Sequence, residues 1–271
     1  MMQPKELAMP VEAFRRMPRQ PGWKHEYWDG KARLRPSERV VTVRLDLPLA
    51  LGERPGGWVP CEARATSEAD RDALVEGFLD AFEGSAEFCG WSPERFRERA
   101  DENIDDFFAG KKGGPLAASR VAADAEGTLV AAALVRESRP VPLLHLLFVR
   151  PDWQRLGVAS ALVREAADAL AGQGREALRS HYFWANRSSR AWYEAFGFVE
   201  EPDLVLARTR LRNARHERWR LEETDQLTET RRATLDETVV RLEQNVERLE
   251  AKAEEEGFVS VAPILQERDS E

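Results

Sequence analysis

Residues 143–159 read L-L-H-L-L-F-V-R-P-D-W-Q-R-L-G-V-A, and this stretch decides the fold. An apolar run is followed by Pro151, by a loop that contains Gly157, and then by a helical pattern. The stretch therefore predicts a strand, a turn and the start of a helix. Backbone N–H groups at a helix start lack acceptors within the helix, and the helix dipole adds positive charge there. Because such a terminus binds phosphate, we expect a phosphorylated ligand to be held by main-chain amides.

The residues after this loop continue the alternation of helices and strands. Apolar residues at three-and-four spacing predict a helix from Val158 that two glycines end. Residues 177–184 form the next apolar stretch, which predicts a strand. Asn186 then offers an N-cap for a short helix over 190–196, which closes in a Gly-Phe pair. The order is strand, phosphate loop, helix, strand, Asn cap, helix and Gly-Phe.

These patterns, in this order, resemble the GCN5-related N-acetyltransferase (GNAT) superfamily. The acetyl-coenzyme A (acetyl-CoA) loop of that family is Gln/Arg-x-x-Gly-x-Gly/Ala, and residues 154–159 read Q-R-L-G-V-A. The family often places Val-x-Pro before the loop, as at 149–151, and Tyr-x-x-x-Gly-Phe at the end of its fourth helix, as at 193–198. Arg155 departs from the glycine of many members. The alternative interpretation is a purely structural turn, because glycine turns of this kind are common in α/β proteins.

The resemblance implies direct transfer of an acetyl group from acetyl-CoA to an amine. It implies that Tyr193 is the general acid for the coenzyme A thiolate, although its ring could instead only pack on the cofactor. His145 stands four residues before Val149, where many relatives have a glutamate base. It could act as a base with a pKa near 6.5, or be a core-edge histidine satisfied by a hydrogen bond. The cofactor contacts that the resemblance implies are the backbone of Leu147, Phe148 and Val149, the loop residues Gln154, Arg155, Leu156, Gly157, Val158, Ala159 and Ser160, and Asn186 at the pantetheine arm.

The composition is that of a soluble cytoplasmic protein. The chain has 271 residues, of which 42% are hydrophobic and 32% charged, so it is able to bury a core. Its net charge of −8 argues against broad binding of nucleic acid or anionic membranes. No apolar run reaches the length of a membrane span, and the N-terminus has no apolar signal region. Cys61, Cys89 and the four scattered histidines form no metal-ligand spacing, so we expect no metal. The abundance of arginine and alanine indicates a bacterial genome rich in GC.

We expect an α/β (α+β) fold with a GNAT-like, mixed but mostly antiparallel central sheet flanked by helices. Residues 1–57 are a β-rich N-terminal extension, 58–206 the GNAT-like acetyltransferase domain, and 207–271 a helical C-terminal extension with a possible short terminal strand. The extension shows a hairpin around Asp29-Gly30 and a strand over 40–47. It is either a recognition module or a β-structured part packed on the main domain.

Capping and turn signals predict the first half of the main domain. A strand over 59–65 leads to a Ser-x-x-Asp capping box at Ser67, and a second helix begins at Ser92-Pro93. Strands over 117–122 and 128–135 follow, joined by a turn that contains glycine.

The tail has a helical repeat of under three heptads. Its seam is formed by Leu235, Val239, Leu242, Val246, Leu249 and Ala253. Three alternatives fit this seam: a coiled coil that forms a homodimer, a long amphipathic helix that lies on its own domain, or a mostly free helix.

The end of the central sheet cannot be placed from the sequence. The superfamily usually ends with two antiparallel strands, but Pro202-Asp203 interrupts the first of them. The last strand is therefore missing, distorted, or supplied by residues 258–261. Because that region often shapes the acceptor pocket, small amines, antibiotics, peptide N-termini and protein lysines all stay open as acceptors. A silent acyl-CoA sensor, or an adaptor that assembles through the C-terminal helix, is the functional alternative.

Overall fold

The computed structural model describes residues 3–49 and 61–255. Within these ranges the chain forms two compact units, one from residues 3–4, 35–49 and 61–201 and one from residues 5–34 and 202–255. The expected start of the acetyltransferase domain at residue 58 and the expected strand over 258–261 lie outside the described residues.

The described strands are β1 (Lys5–Ala8), β2 (Trp23–Trp28), β3 (Lys31–Pro36), β4 (Val40–Asp46), β5 (Glu62–Ala65), β6 (Arg120–Ala123), β7 (Leu129–Arg136), β8 (Leu143–Val149), β9 (Ala177–Phe183) and β10 (Val199–Glu200). The described helices are α1 (Val11–Arg15), α2 (Arg71–Phe82), α3 (Pro93–Phe108), α4 (Val158–Gly172), α5 (Arg187–Phe196), α6 (Leu204–Glu223) and α7 (Glu229–Glu255).

The first unit is built on a seven-stranded sheet with the strand order β10-β4-β9-β8-β7-β6-β5. Neighbouring strands run antiparallel except β8 and β9, which are parallel. This sheet confirms the predicted mixed and mostly antiparallel fold. The predicted strand at 143–149 is observed with the same bounds, while the strand expected over 117–122 begins only at Arg120.

Helices cover both faces of this sheet. On one face, the apolar sides of α2 and α3 pack on Ala132 and Leu134 of β7 and on Phe148 of β8. A Cβ at Gly77 of α2 would stand 2.6 Å from the Phe148 ring, so glycine lets the helix approach β8 closely. Since β7 is buried at residues 129–135, its other face is covered as well, and α4 packs there.

The predicted capping box and the predicted N-cap of α3 are both confirmed. Ser67 and Asp70 form a reciprocal capping box before α2. The Ser92 hydroxyl accepts a hydrogen bond of 3.3 Å from the backbone N–H of Arg95, at the start of α3.

Strand β4 lies inside the main sheet, between β9 and β10. It pairs with β9 along its whole length, from Val40 opposite Phe183 to Asp46 opposite Ala177. Residues 40–46, which the sequence analysis assigned to the N-terminal extension, therefore supply a strand of the main sheet. Its side chains alternate as predicted, but they bury Val41, Val43 and Leu45 in the main domain. Strand β10 is only two residues long, and β4 lies between it and β9.

The second unit contains a three-stranded sheet of order β1-β3-β2 and the long helices α6 and α7. The predicted hairpin is confirmed, with Asp29 and Gly30 at positive φ in its turn. Val239, Val246 and Leu249 of the heptad seam are buried against Ala207 and Leu211 of α6.

Ion pairs accompany the packing of α7 on α6. They join Arg208 to Glu250 at 2.8 Å, Arg215 to Glu243 at 2.7 Å and Arg218 to Asp236 at 2.8 Å. Because the sequence numbers of the partners run in opposite directions, the two helices form an antiparallel pair. The seam is thus packed within the chain, as in the amphipathic-helix alternative. None of the described helices has an apolar stretch long enough to cross a membrane.

Candidate active site

The predicted phosphate loop joins β8 to α4. Gly157 is the N-cap of α4 and has a left-handed backbone with φ of 84°, while Arg155 also has a positive φ of 66°. A Cβ at Gly157 would meet no atom within 4 Å, so the space in front of this backbone is open. The first intrahelical bond runs from the N–H of Ala161 to the Gly157 carbonyl at 3.0 Å. The amides before it are therefore placed to hold an anion.

Two side chains of the loop have structural partners. The Gln154 amide donates to the carbonyl of Val149 at 3.0 Å and ties the loop to the end of β8. The Ser160 hydroxyl accepts a hydrogen bond of 3.3 Å from the Trp192 indole of α5. Leu156 is exposed. The loop thus offers main-chain donors, while some of its side chains fix its shape.

Strands β8 and β9 separate shortly after they meet. They pair only at Leu143 with Arg179 and at Leu144 with Ser180. Beyond that point, Leu147, Phe148 and Val149 pair with β7 on the other side, so the edge of β8 that faces β9 has no strand partner. This is the opening at which the three backbones were expected to bind the pantetheine arm.

Tyr193 lies at the closed end of this opening. Its side chain is only 6% exposed, and its hydroxyl is 2.7 Å from the hydroxyl of Ser180. Ser180 in turn donates to the Leu144 carbonyl at 3.1 Å, so its single proton is used there and Tyr193 is the donor between the two hydroxyls. Burial raises the pKa of Tyr193 to about 12, although the hydrogen bond between Tyr193 and Ser180 opposes this shift. The hydroxyl therefore keeps its proton at neutral pH.

His145 of β8 is largely buried and stacks on Phe107 of α3, with ring centroids 6.0 Å apart. Burial and, to a smaller extent, the charge of Arg136 lower its pKa to about 4, while a hydrogen bond with the backbone of Asn103 opposes the shift. This pKa lies below the ordinary value of 6.5 because a buried imidazolium would lose its hydration. The imidazole is therefore neutral near pH 7.

Asn186 is the N-cap of α5, as predicted. Its Oδ1 accepts from the backbone N–H of Ser189 at 2.9 Å, and its Nδ2 donates to Glu87 Oε1 at 2.7 Å. Both ends of the amide are thus engaged by the protein. A contact of this side chain with the pantetheine arm would have to replace or share one of these bonds.

A cavity of about 530 Å³ adjoins the opening between β8 and β9. It brings together His145 and Tyr193, which the sequence analysis singled out, and Leu147. The loop residues 154–160 are not part of its lining. The cavity is bounded by residues of α2, α3, β8, β9 and α5, and by the connection between α2 and α3.

The sequence analysis missed several residues of this site. Ser180 and Glu87 reach Tyr193 and Asn186 through long-range contacts, for which no local pattern exists. Within residues 3–49 and 61–255, no group of His, Cys, Asp or Glu side chains could hold a metal ion.

Comparisons with known proteins place these elements in a family. A family model described as "Acetyltransferase (GNAT) family" matches residues 74–198. No curated protein matches the chain. Among solved structures, the chain is similar to a GCN5-related N-acetyltransferase from Sphaerobacter thermophilus, with 18% identity, 60% of this chain and 48% of that chain covered, and a TM-score of 0.42.

Two further solved structures are covered over more of their length. The ribosomal-protein-S18-alanine N-acetyltransferase from Escherichia coli has 22% identity, 52% of this chain and 79% of that chain covered, and a TM-score of 0.40. The PaiA N-acetyltransferase from Thermoplasma acidophilum, in complex with coenzyme A, has 18% identity, 54% and 93% coverage, and a TM-score of 0.42.

The family model spans the elements from α2 to the Gly-Phe pair after α5. It includes the left-handed Gly157 loop, the opening between β8 and β9, and Tyr193. Residues 74–198 are therefore an acetyltransferase domain of the GNAT family.

Proposed function

We propose that the protein transfers an acetyl group from acetyl-CoA directly to the nitrogen of an amine. The observation that carries this proposal is the left-handed Gly157, which caps α4 at the end of β8 and faces open space. Amides of residues 157–160 would hold the pyrophosphate. The unpaired edge of Leu147, Phe148 and Val149 would hold the pantetheine arm by main-chain hydrogen bonds.

In this reaction the amine nitrogen attacks the thioester carbonyl carbon, the carbon–sulfur bond breaks, and the thiolate takes up a proton. We assign that proton to the Tyr193 hydroxyl, which lines the cavity and is protonated at neutral pH. A free thiol has a pKa near 8.5, well below that of Tyr193. Proton transfer from Tyr193 to the thiolate is therefore uphill by itself, and it is completed when the proton that the amine loses passes to the Tyr193 oxygen.

His145 has a narrower proposed role than a base for any amine. An alkylammonium has a pKa of about 10, so an imidazole with a pKa of about 4 would hold only a small share of its proton. The amine must then arrive neutral or lose its proton to water. We propose that His145 Nε2, which is buried and has no hydrogen-bond partner among the described residues, accepts a hydrogen bond from the attacking amine.

The remaining expectations concern the setting of the protein. We propose a bacterial, cytoplasmic enzyme whose acceptor is a small amine or an amine of a peptide or protein, with no nucleic-acid or membrane partner. A homodimer through α7 would have to use residues outside the packed seam, such as the half-exposed Val240. Sedimentation of the full chain tests that arrangement.

The experiment that tests the function has two measurements. Acetyl-CoA should raise the melting temperature of the full chain, because a ligand that binds only the folded state stabilises it. Free thiol should then appear when an amine library is added. Thermal stabilisation without thiol release would identify an acyl-CoA sensor instead. A chain that neither binds nor reacts would leave only the adaptor alternative.

A further inference from the structure

Three buried polar atoms of the cavity-lining residues have no hydrogen-bond partner in the described parts of the chain. They are Glu87 Oε2, Asn103 Oδ1 and His145 Nε2. A carboxylate oxygen and an amide oxygen are acceptors. The His145 ring already makes a hydrogen bond to the backbone of Asn103, which leaves Nε2 of the neutral ring as an acceptor as well.

All three of these atoms are therefore hydrogen-bond acceptors. Buried acceptors that lack donors are costly to leave unpaired, so they are rare in native structures. A ligand that carries several donors, such as the N–H groups of an amine, would satisfy these acceptors.

The carboxylate of Glu87 favours a ligand that carries a positive charge. Its Oε1 accepts from the neutral amide of Asn186, and no described Lys or Arg forms an ion pair with it. The two guanidinium groups that line the cavity have contacts with residues other than Glu87. Arg95 lies 3.9 Å over the Trp91 ring, and Arg99 is 3.6 Å from Glu102.

The wall beside Glu87 is aromatic. Phe78, Phe82, Phe88 and Trp91 line the cavity, and their rings form a continuous set, with centroids 4.7 Å apart for Phe78 and Phe82 and 5.3 Å apart for Phe88 and Trp91. Such a wall buries an alkyl chain and also attracts a cation to the ring faces.

We propose that the acetyl acceptor is an alkyl diamine or polyamine whose second nitrogen stays protonated and pairs with Glu87. This inference rests on the proposed function. The reacting nitrogen must be neutral, so it cannot compensate the Glu87 carboxylate, and a second ammonium is needed for that. The neutral reacting amine still donates N–H groups to the uncharged acceptors, Asn103 and His145. The carbon chain between the nitrogens lies on the aromatic wall.

The test compares amines that differ only in the second nitrogen. Thiol release from acetyl-CoA is measured with 1,4-diaminobutane and with butylamine, and we expect a kcat/KM at least about tenfold higher for the diamine. Glu87→Gln removes the charge and keeps an oxygen to accept from Asn186. It should lower kcat/KM for the diamine about tenfold more than it lowers kcat/KM for butylamine, so that the preference for the diamine is lost.

A matched control lies four residues earlier. Glu83 is exposed and does not line the cavity, so Glu83→Gln should leave the preference for the diamine intact. Melting temperatures of both variants, with and without acetyl-CoA, show whether fold and cofactor binding are kept.

The outcomes separate the two proposals. If butylamine reacts as well as the diamine, or if Glu87→Gln lowers both equally, the diamine inference is wrong while acetyl transfer stands. A peptide N-terminus that reacts faster than any diamine would overturn it too. If no amine releases thiol although acetyl-CoA binds, the proposed function itself fails.

Discussion

The two edges of β9 differ in how completely they are paired. Toward β4, seven residue pairs run antiparallel from Val40 to Asp46. Toward β8, two parallel pairs form, and the strands then diverge. The closed edge continues the sheet, and the open edge leaves backbone groups and the cavity for a ligand. The same strand thus contributes to stability on one side and to the site on the other.

The closed edge should show the largest effect of a single substitution. Val43 of β4 is 1% exposed, so Val43→Asp buries a charge without a partner and should cost roughly 4 kcal/mol of the free energy of unfolding. Val199 of β10 is 70% exposed, and Val199→Asp should change it by less than about 0.5 kcal/mol. Urea unfolding measures both. Equal midpoints for the two variants would show that β4 is not part of the core.

The open edge should lose function without losing the fold. Gly157→Glu places a carboxylate in front of the amides of α4, and we expect at least about a 100-fold loss of acetyl-CoA affinity, since like charges in contact cost several kcal/mol. Gly157→Ala is the control, because it shares the strain of a φ of 84° but adds no charge. Calorimetry should find that the alanine variant binds within about tenfold of the wild type. A glutamate variant that still binds normally would refute the loop assignment.

At the closed end of the opening between β8 and β9, Tyr193→Phe removes one hydroxyl and keeps the ring. We expect turnover to fall by about 100-fold, the typical contribution of a general acid, while the Kd for acetyl-CoA stays the same. Ser180→Ala provides the comparison, because it keeps the phenol and deletes only its partner at 2.7 Å. Turnover of that variant should remain within about tenfold. If both variants lose the same activity, the hydroxyl pair positions the site and supplies no proton.

The smallest effect is expected at His145 and depends on pH. Its folded pKa of about 4 is below the ordinary value of 6.5, so between these values the unfolded chain binds a proton that the folded chain excludes. This histidine therefore lowers stability as pH falls, by about 2 kcal/mol at pH 4.5.

His145→Gln should reduce the stability difference between pH 7 and pH 4.5, measured by urea unfolding. It should leave the pH profile of turnover between pH 6 and 8 unchanged. A profile that loses a limb in that range would restore the imidazole as a base with an ordinary pKa.

Much of the open edge could be predicted because its elements follow one another in the chain. The β8 strand, the Gly157 turn, α4, β9 and the Asn186 cap are local patterns of spacing and capping. The position of β4 could not be predicted, because it depends on pairing between residues such as Thr42 and His181, which are 139 apart in sequence.

The hydrogen bonds and the protonation of the site residues could not be predicted from the sequence either. Asn186 was predicted as a cap, but its bond to Glu87 joins residues 99 apart. The lowered pKa of His145 results from burial and from Arg136, which only the packed sheet brings near it. The candidate residues could be chosen from their types and spacing, whereas the protonation of His145 depends on long-range packing.

The place of β4 in the sheet also bears on how the protein is made. A ribosome adds about 5–20 residues per second, so β4 leaves it on the order of ten seconds before its partner β9. During that interval Val41, Val43 and Leu45 have no strand to cover them, and the rest of the sheet is still being synthesised. The nascent chain therefore exposes an apolar strand that is able to pair, and it does so for longer than a protein whose paired strands are adjacent in sequence. We expect this chain to depend on chaperones during synthesis, whatever its stability once β9 has arrived.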